Sequence, residues 1–265
     1  MKILFISLGC DKNLADSEEM LGLLTGNGHE IVDSEEEADA IVINTCCFIH
    51  DAKEESVNTI LEMAEYKKTG PCKILIVTGC MAQRYKEEIT EEIPEVDAVL
   101  GTTSYGDIVK ALNEAEAGHV FQEFKDINAL PEDSGRRVIT TGGHFGYLKI
   151  AEGCDKHCTY CIIPSLRGKF RSVPEERLLK QAEYMASQGV RELILVAQET
   201  TVYGTDLYGK KTLHILLKKL CQIKGIRWIR VLYCYPEEIY DELIQVMKEE
   251  KKICHYLDSM QATVF

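Results

Sequence analysis

Eleven cysteines stand among the 265 residues, and six of them fall into two patterns that could do chemistry. Cys154, Cys158 and Cys161 form a C-x3-C-x2-C run, Cys-Asp-Lys-His-Cys-Thr-Tyr-Cys, directly after the strand-like stretch GYLKIAEG. Three thiolates on one short loop can hold three irons of a 4Fe–4S cluster and leave the fourth iron open, whereas a fourth cysteine would saturate it. A zinc site completed by His157 or a remote ligand is the competing reading. Zinc loops usually pair two C-x2-C half-sites, and no second pair occurs here. The other pattern is dispersed: Cys10, Cys46 and Cys80 lie 36 and 34 residues apart, each just beyond an apolar, strand-like run. Ligands of open α/β sheets collect outside the carboxyl ends of the strands, so three thiols at neighbouring strand ends can converge on one site. Any one of them alone would read as a small core residue. Three at the same topological position point to a second cluster.

The elements that must position these residues alternate in type. Strands are expected over 2–9, 40–45, 73–79 and 97–101, with helices over about 13–28, 52–68, 81–93 and 105–117. Strands alternating with helices of this length predict a parallel sheet covered on both faces, a doubly wound domain over 1–118. Residues 119–144, with Pro131, Gly135, Gly142 and Gly143 and no sustained periodicity, read as a linker. A second α/β series then begins, with strands over 146–152, 191–198, 227–235 and 254–258 and helices starting near Pro174, Thr212 and Pro236. The fold class is therefore α/β throughout, as two domains, 1–118 and 145–265.

Composition narrows the setting. With 45% hydrophobic and 28% charged residues the chain is globular rather than disordered. No apolar run reaches the roughly 18–20 residues that span a bilayer, and the N-terminus has no cleavable signal. A cytoplasmic protein with reduced thiols is the expectation, so disulfides are a poor account of the cysteines. The net charge of −13 is uneven: residues 1–118 carry 9 Lys and Arg against 24 Asp and Glu. That acidity argues against broad contact with a phosphate backbone and suits a basic protein partner.

The C-x3-C-x2-C run, with the aromatic Tyr160 just before its third cysteine, resembles the signature of the radical S-adenosylmethionine (SAM) superfamily. SLGCDKNLADSE (7–18), INTCCFIHDAKEES (43–56) and TGCMAQRY (78–85) closely resemble the three cysteine motifs of the methylthiotransferases. SLGCDKN, IIPSLRGKFRS (162–172), VAQETTVYGTDLYG (196–209) and RVLYCYPEEI (230–239) favour the RimO-type branch, which modifies a ribosomal protein, over the transfer-RNA (MiaB-like) branch. The resemblance runs from Lys2 to about Asp258. It implies that Cys10, Cys46 and Cys80 hold an auxiliary 4Fe–4S cluster and that Cys154, Cys158 and Cys161 hold the cluster that binds SAM. Cys47 becomes a spectator, and Cys72, Cys221, Cys234 and Cys254 become structural. Tyr160, Gln198 and Glu199 become candidates to line the SAM pocket, although Gln198 and Glu199 read equally well as ordinary strand-end polar residues. Arg167 and Arg171 either meet an acidic substrate or cap the loop.

The reaction so implied uses one SAM as methyl donor to a sulfur at the auxiliary cluster. A second SAM is the source of a 5′-deoxyadenosyl radical, which takes a hydrogen from the β-carbon of an aspartate in small-subunit ribosomal protein S-twelve. No side chain acts as a general base for the C–H bond. The implied partners are that ribosomal protein and a reductant such as flavodoxin or ferredoxin; no membrane is involved, and direct nucleic-acid binding is not expected. Three other readings stay open: a transfer-RNA methylthiotransferase, a cluster-binding protein for electron transfer, and an inactive fragment.

The resemblance also implies a partial barrel of six βα units followed by a small β domain (TRAM). Here three units and a fourth strand, HYLD, are present, and SMQATVF (259–265) does not resemble the continuation. The expectation is an incomplete radical-SAM barrel in a C-terminally truncated chain without that last domain.

Overall fold

A computed structural model describes residues 1–259, and all of the following concerns those residues. The motif-free stretch SMQATVF lies, apart from Ser259, outside them. The chain divides into two compact units, one made of Met1–Val138 with His157–Arg167, the other of Ile139–Lys156 with Gly168 onward.

The first unit runs β1 (Lys2–Ser7), α1 (Asp11–Gly26), β2 (Glu30–Val32), β3 (Ala40–Thr45), α2 (His50–Thr69) and β4 (Ile74–Gly79). It continues with α3 (Cys80–Arg84), α4 (Lys86–Glu92), β5 (Ala98–Leu100), α5 (Ile108–Glu116) and β6 (Phe121–Glu123), and the returning segment adds α6 (Ile163–Arg167). The six strands form one parallel sheet in the order β2-β1-β3-β4-β5-β6. The chain reverses direction across the sheet between β1 and β3, and such a switch point opens a crevice at the carboxyl ends. Central strands β3 and β4 are buried at every position, as a sheet covered on both faces demands. Ala40, Val42, Ile74 and Ile76 pack one face against Met20 and Leu24 of α1 and Ile108 and Leu112 of α5. Ile41, Ile43, Leu75 and Val77 pack the other against Ile60 and Met63 of α2 and Met81 of α3.

The four strands expected for this domain are present. The edge strands β2 and β6 were not expected; each has only three residues and a polar member, too little for a period to show. The helix expected over 81–93 is broken at Tyr85, where φ is −121° and ψ 38°.

The second unit comprises β7 (Phe145–Lys149), β8 (Ala151–Glu152), β9 (Arg171–Ser172), α7 (Glu175–Ser187) and β10 (Glu192–Val196). After these come α8 (Thr205–Tyr208), α9 (Leu213–Cys221), β11 (Trp228–Cys234), α10 (Asp241–Glu249) and β12 (Ile253–Ser259). β7, β10, β11 and β12 form a parallel sheet in the order β12-β11-β10-β7, and β8 pairs antiparallel with β9. Leu148, Leu193, Leu195, Ile229 and Val231 are fully buried, as are Leu178, Leu216 and Leu243 of the flanking helices. Consecutive parallel strands in sequence order, each crossover carrying a helix, make an open segment of a βα barrel. Both units are α/β, as expected. Among the described residues no helix is long and apolar enough to cross a membrane.

Candidate functional site: two cysteine clusters

The dispersed cysteines gather at one end of the first sheet. Cys10 follows β1 and caps the start of α1, Cys46 follows β3, and Cys80 opens α3 directly after β4. Two glycines make the approach possible. Gly9 has φ of +89°, and a Cβ there would sit 2.6 Å from Cys46 Cβ and 2.9 Å from its Sγ. Gly79 has φ of +94°, and a Cβ there would sit 2.3 Å from Asn44 Oδ1 and 2.5 Å from the Thr45 carbonyl. Each Gly-Cys pair thus turns the chain over the carboxyl end of the sheet against β3, in a conformation that L side chains resist. Cys46 and Cys80 are buried, while Cys10 faces solvent.

The thiols feel one another. Burial pushes the Cys46 and Cys80 thiols up from their ordinary range; negative charge on Cys10 pushes both further, and Arg167 pulls both back. A group of soft donors, two of them buried, whose charges would repel one another suits a cationic iron–sulfur core, which would relieve that repulsion. Cys47 differs. Its thiol donates to the Cys80 carbonyl at 3.3 Å, and burial pushes it up to about 12. Beneath the cysteines lies a buried polar layer. Asn13 Nδ2 donates to the Leu8 and Thr45 carbonyls at 3.1 and 2.9 Å, and Asn44 Nδ2 donates to the Asn13 carbonyl and Ser17 Oγ, both at 2.9 Å. Arg167 reaches into the same layer, pairing with Asp16.

The C-x3-C-x2-C loop starts in the second unit. Gly153, with φ of +71°, lets the chain pass so close to Gly168 and Lys169 that a Cβ would meet their carbonyls at 2.5 and 2.1 Å. The Cys154 amide donates to the Gly168 carbonyl at 3.1 Å, the Lys156 amide to Cys154 Sγ at 3.4 Å, and the Phe170 amide to Asp155 Oδ1 at 3.0 Å. A cavity of about 310 Å³ opens beside Cys154, lined among others by Asp155, Phe170, Glu199, Lys211 and Glu238. Lys156 and Lys211, which also line it, both pair with Glu238. Cys158 and Cys161 belong to the returning segment of the first unit, joined by a turn in which the Cys161 amide donates to the Cys158 carbonyl at 3.0 Å. Both are partly exposed, and Tyr160 between them is 60% exposed.

Gln198 and Glu199 lie just beyond the carboxyl end of β10. Both amide atoms of Gln198 and Oε2 of Glu199 are buried without a hydrogen-bond partner. The other Glu199 oxygen accepts from Thr201, while the Tyr235 amide lies near the carboxylate. Burial raises the Glu199 pKa above its ordinary value, with those amides and hydroxyl acting the other way. Unpaired buried polar atoms cost about 1–3 kcal/mol each, and a polar ligand at this strand end would satisfy them. Tyr233 adds a further sign of strain, with φ of 59° at the end of β11. Nothing in the sequence marked Asn13, Lys211 or Tyr233. Among the described residues, no three His, Cys, Asp or Glu side chains already stand at metal-coordination spacing.

Comparison with known proteins follows the same division. Residues 2–101 match the uncharacterized protein family UPF0004, and residues 148–263 match the radical SAM superfamily. The chain is 67% identical, over 97% of its length, to ribosomal protein uS12 methylthiotransferase RimO of Lachnoclostridium phytofermentans. It is 52% identical, over 97% of its length, to the same-named protein of Clostridioides difficile. The chain belongs to the radical SAM methylthiotransferase family. It spans 59% and 58% of the length of these two methylthiotransferases. Among solved structures it resembles the radical SAM methyltransferase TsrM of Kitasatospora setae, with TM-score 0.62 and 11% identity over 100% of this chain and 60% of that one. The cobalamin-dependent SAM radical enzyme OxsB matches with TM-score 0.53 and 16% identity over 91% of this chain and 39% of that one. At such identities the likeness is one of fold.

Proposed function

We propose that this chain carries the cluster- and SAM-binding machinery of a methylthiotransferase whose substrate is the β-carbon of an aspartate in ribosomal protein uS12. The observation that carries the reading is the gathering of Cys10, Cys46 and Cys80 at the carboxyl end of a parallel sheet, in a chain that also bears a C-x3-C-x2-C loop. Cys10, Cys46 and Cys80 would hold an auxiliary 4Fe–4S cluster, and Cys154, Cys158 and Cys161 the cluster that binds SAM. When bound, the two supply a sulfur-carrying centre and a one-electron donor able to cleave SAM reductively.

The residues of the chain do the rest. Gly9 and Gly79 hold Cys10 and Cys80 against β3, so the thiols are presented together. The Lys156 amide orients the Cys154 sulfur. Glu199 Oε2 and the Gln198 amide offer the unpaired polar atoms that would receive the amino and carboxylate groups of SAM. Lys156 and Lys211, paired with Glu238 in the wall of the cavity, would help to shield a reactive species from water. The acidic residues of the first 118 positions favour a basic protein as partner, a cytoplasmic reductant such as flavodoxin or ferredoxin would supply electrons, and the setting would be the cytoplasm. The test is anaerobic reconstitution with iron and sulfide, followed by SAM, the uS12 protein and dithionite. A methylthio mass gain on one uS12 aspartate supports the reading, and transfer RNA modified in its place would contradict it.

A further inference from the structure

Arg167 closes α6 with its side chain only 3% exposed. Nη1 donates to Asp16 Oδ2 at 2.9 Å and Nη2 to Asn13 Oδ1 at 2.6 Å. Both acceptors sit on α1, the helix that Cys10 caps, and Asn13 is fixed in turn by the carbonyls of Leu8 and Thr45. The positive guanidinium stands close enough to Cys80 and Cys46 to oppose the rise that burial imposes on both thiols. Asn13 Oδ1, which accepts from Arg167, also lies 3.9 Å from Cys80 Sγ. One fork therefore ties α6, α1 and the cysteine that opens α3.

Stability alone is a poor reason for this arrangement, because a buried Arg–Asp pair seldom improves on apolar residues of the same size. A guanidinium is a permanent cation. Asp16 offsets its charge, but the fork remains beside a sulfur read here as a ligand. Iron–sulfur potentials depend on net charge, burial and hydrogen bonds to the sulfurs, and a cation in a low-dielectric interior acts strongly on them. Neighbouring positive charge favours the reduced, more negative state of a cluster.

We infer that Arg167 is a positioning residue that fixes the Cys80 sulfur and raises the reduction potential of the cluster held by Cys10, Cys46 and Cys80. The inference rests on the cluster assignment proposed above. It makes Asp16 the opposing element, since removing that carboxylate leaves the guanidinium uncompensated.

The experiment is an EPR-monitored redox titration of the whole chain, reconstituted anaerobically, with iron and sulfide content and thermal unfolding measured on each variant. The cluster whose spectrum changes on adding SAM serves as internal reference. In Arg167→Met the auxiliary cluster becomes harder to reduce by tenfold or more, which is about 59 mV for one electron. In Asp16→Asn it becomes easier to reduce, and Arg167→Lys falls between wild type and Arg167→Met. The reference cluster keeps its potential in all three. A purely structural role would lower unfolding temperatures without moving the potentials in opposite directions. Arg167→Met that binds both clusters at wild-type potentials overturns the inference. Should Arg167→Met fail to fold, Asp16→Asn decides, and an unchanged or lowered potential there overturns it. A wild-type chain that takes up one cluster only overturns the cluster assignment itself, and the inference with it.

Discussion

Two adjacent cysteines, Cys46 and Cys47, show how much a single position decides. Cys46 lies against Gly9 at the gathering point, while the Cys47 thiol is spent on the Cys80 carbonyl and held protonated by burial. Cys46→Ala should therefore abolish one of two clusters, and Cys47→Ala should leave the iron and sulfide content of reconstituted protein unchanged. Glu199 offers a pH test. Its folded pKa is raised, so the carboxyl contributes stability below its unfolded value of 4.5, and that contribution is lost as pH rises through the higher folded value. In metal-free protein, Glu199→Gln should flatten this loss and make the fold more stable than wild type at pH 7, with a smaller difference at pH 4. Urea unfolding at pH 4 and pH 7 measures it; an unchanged pH profile would show that the carboxylate is already satisfied. That Cys10, Cys46 and Cys80 come to one end of the sheet was legible from type, spacing and place after strands. Arg167 was legible only as a basic residue, because its partners Asp16 and Asn13 lie 151 and 154 positions away in sequence.

Among the elements, the apolar periods of β1, β3, β4 and β5 announced the sheet, and cysteine positions could be counted from their ends. The edge strands β2 and β6 were silent because three residues cannot show a period. Helix α1 was expected only as a helix over about 13–28, and its burial of Asn13, Asp16, Ser17, Glu18 and Glu19 was not foreseen. Part of the cover comes from the stretch read as a linker, whose backbone at Arg136 and Arg137 passes where a Cβ on Gly22 would stand 2.7 Å away. Arg137 pairs there with fully buried Glu18. Gly22→Val should displace that stretch and cost roughly 2–4 kcal/mol by overpacking against backbone and freeing the ion pair. Gly79→Ala should cost a similar amount by forcing an L residue to φ of +94° against Asn44 and Thr45, and should also lower iron uptake. Urea midpoints with iron analysis separate the two: Gly22→Val weakens the fold, whereas Gly79→Ala weakens fold and cluster together.

On the scale of the whole molecule, charge and chemistry divide along the chain. The first 118 residues carry all of the acidic excess and the dispersed cysteines, while the C-x3-C-x2-C loop starts beyond residue 150. The decisive question is whether the ligands and the strand-end polar groups present here suffice for reductive cleavage of SAM. The direct measurement is 5′-deoxyadenosine released by the anaerobically reconstituted chain given SAM and dithionite. The account predicts product that disappears in Cys158→Ala and persists in Cys46→Ala, because the latter removes only the auxiliary cluster. No product from protein carrying both clusters, or equal product from Cys158→Ala, would contradict it.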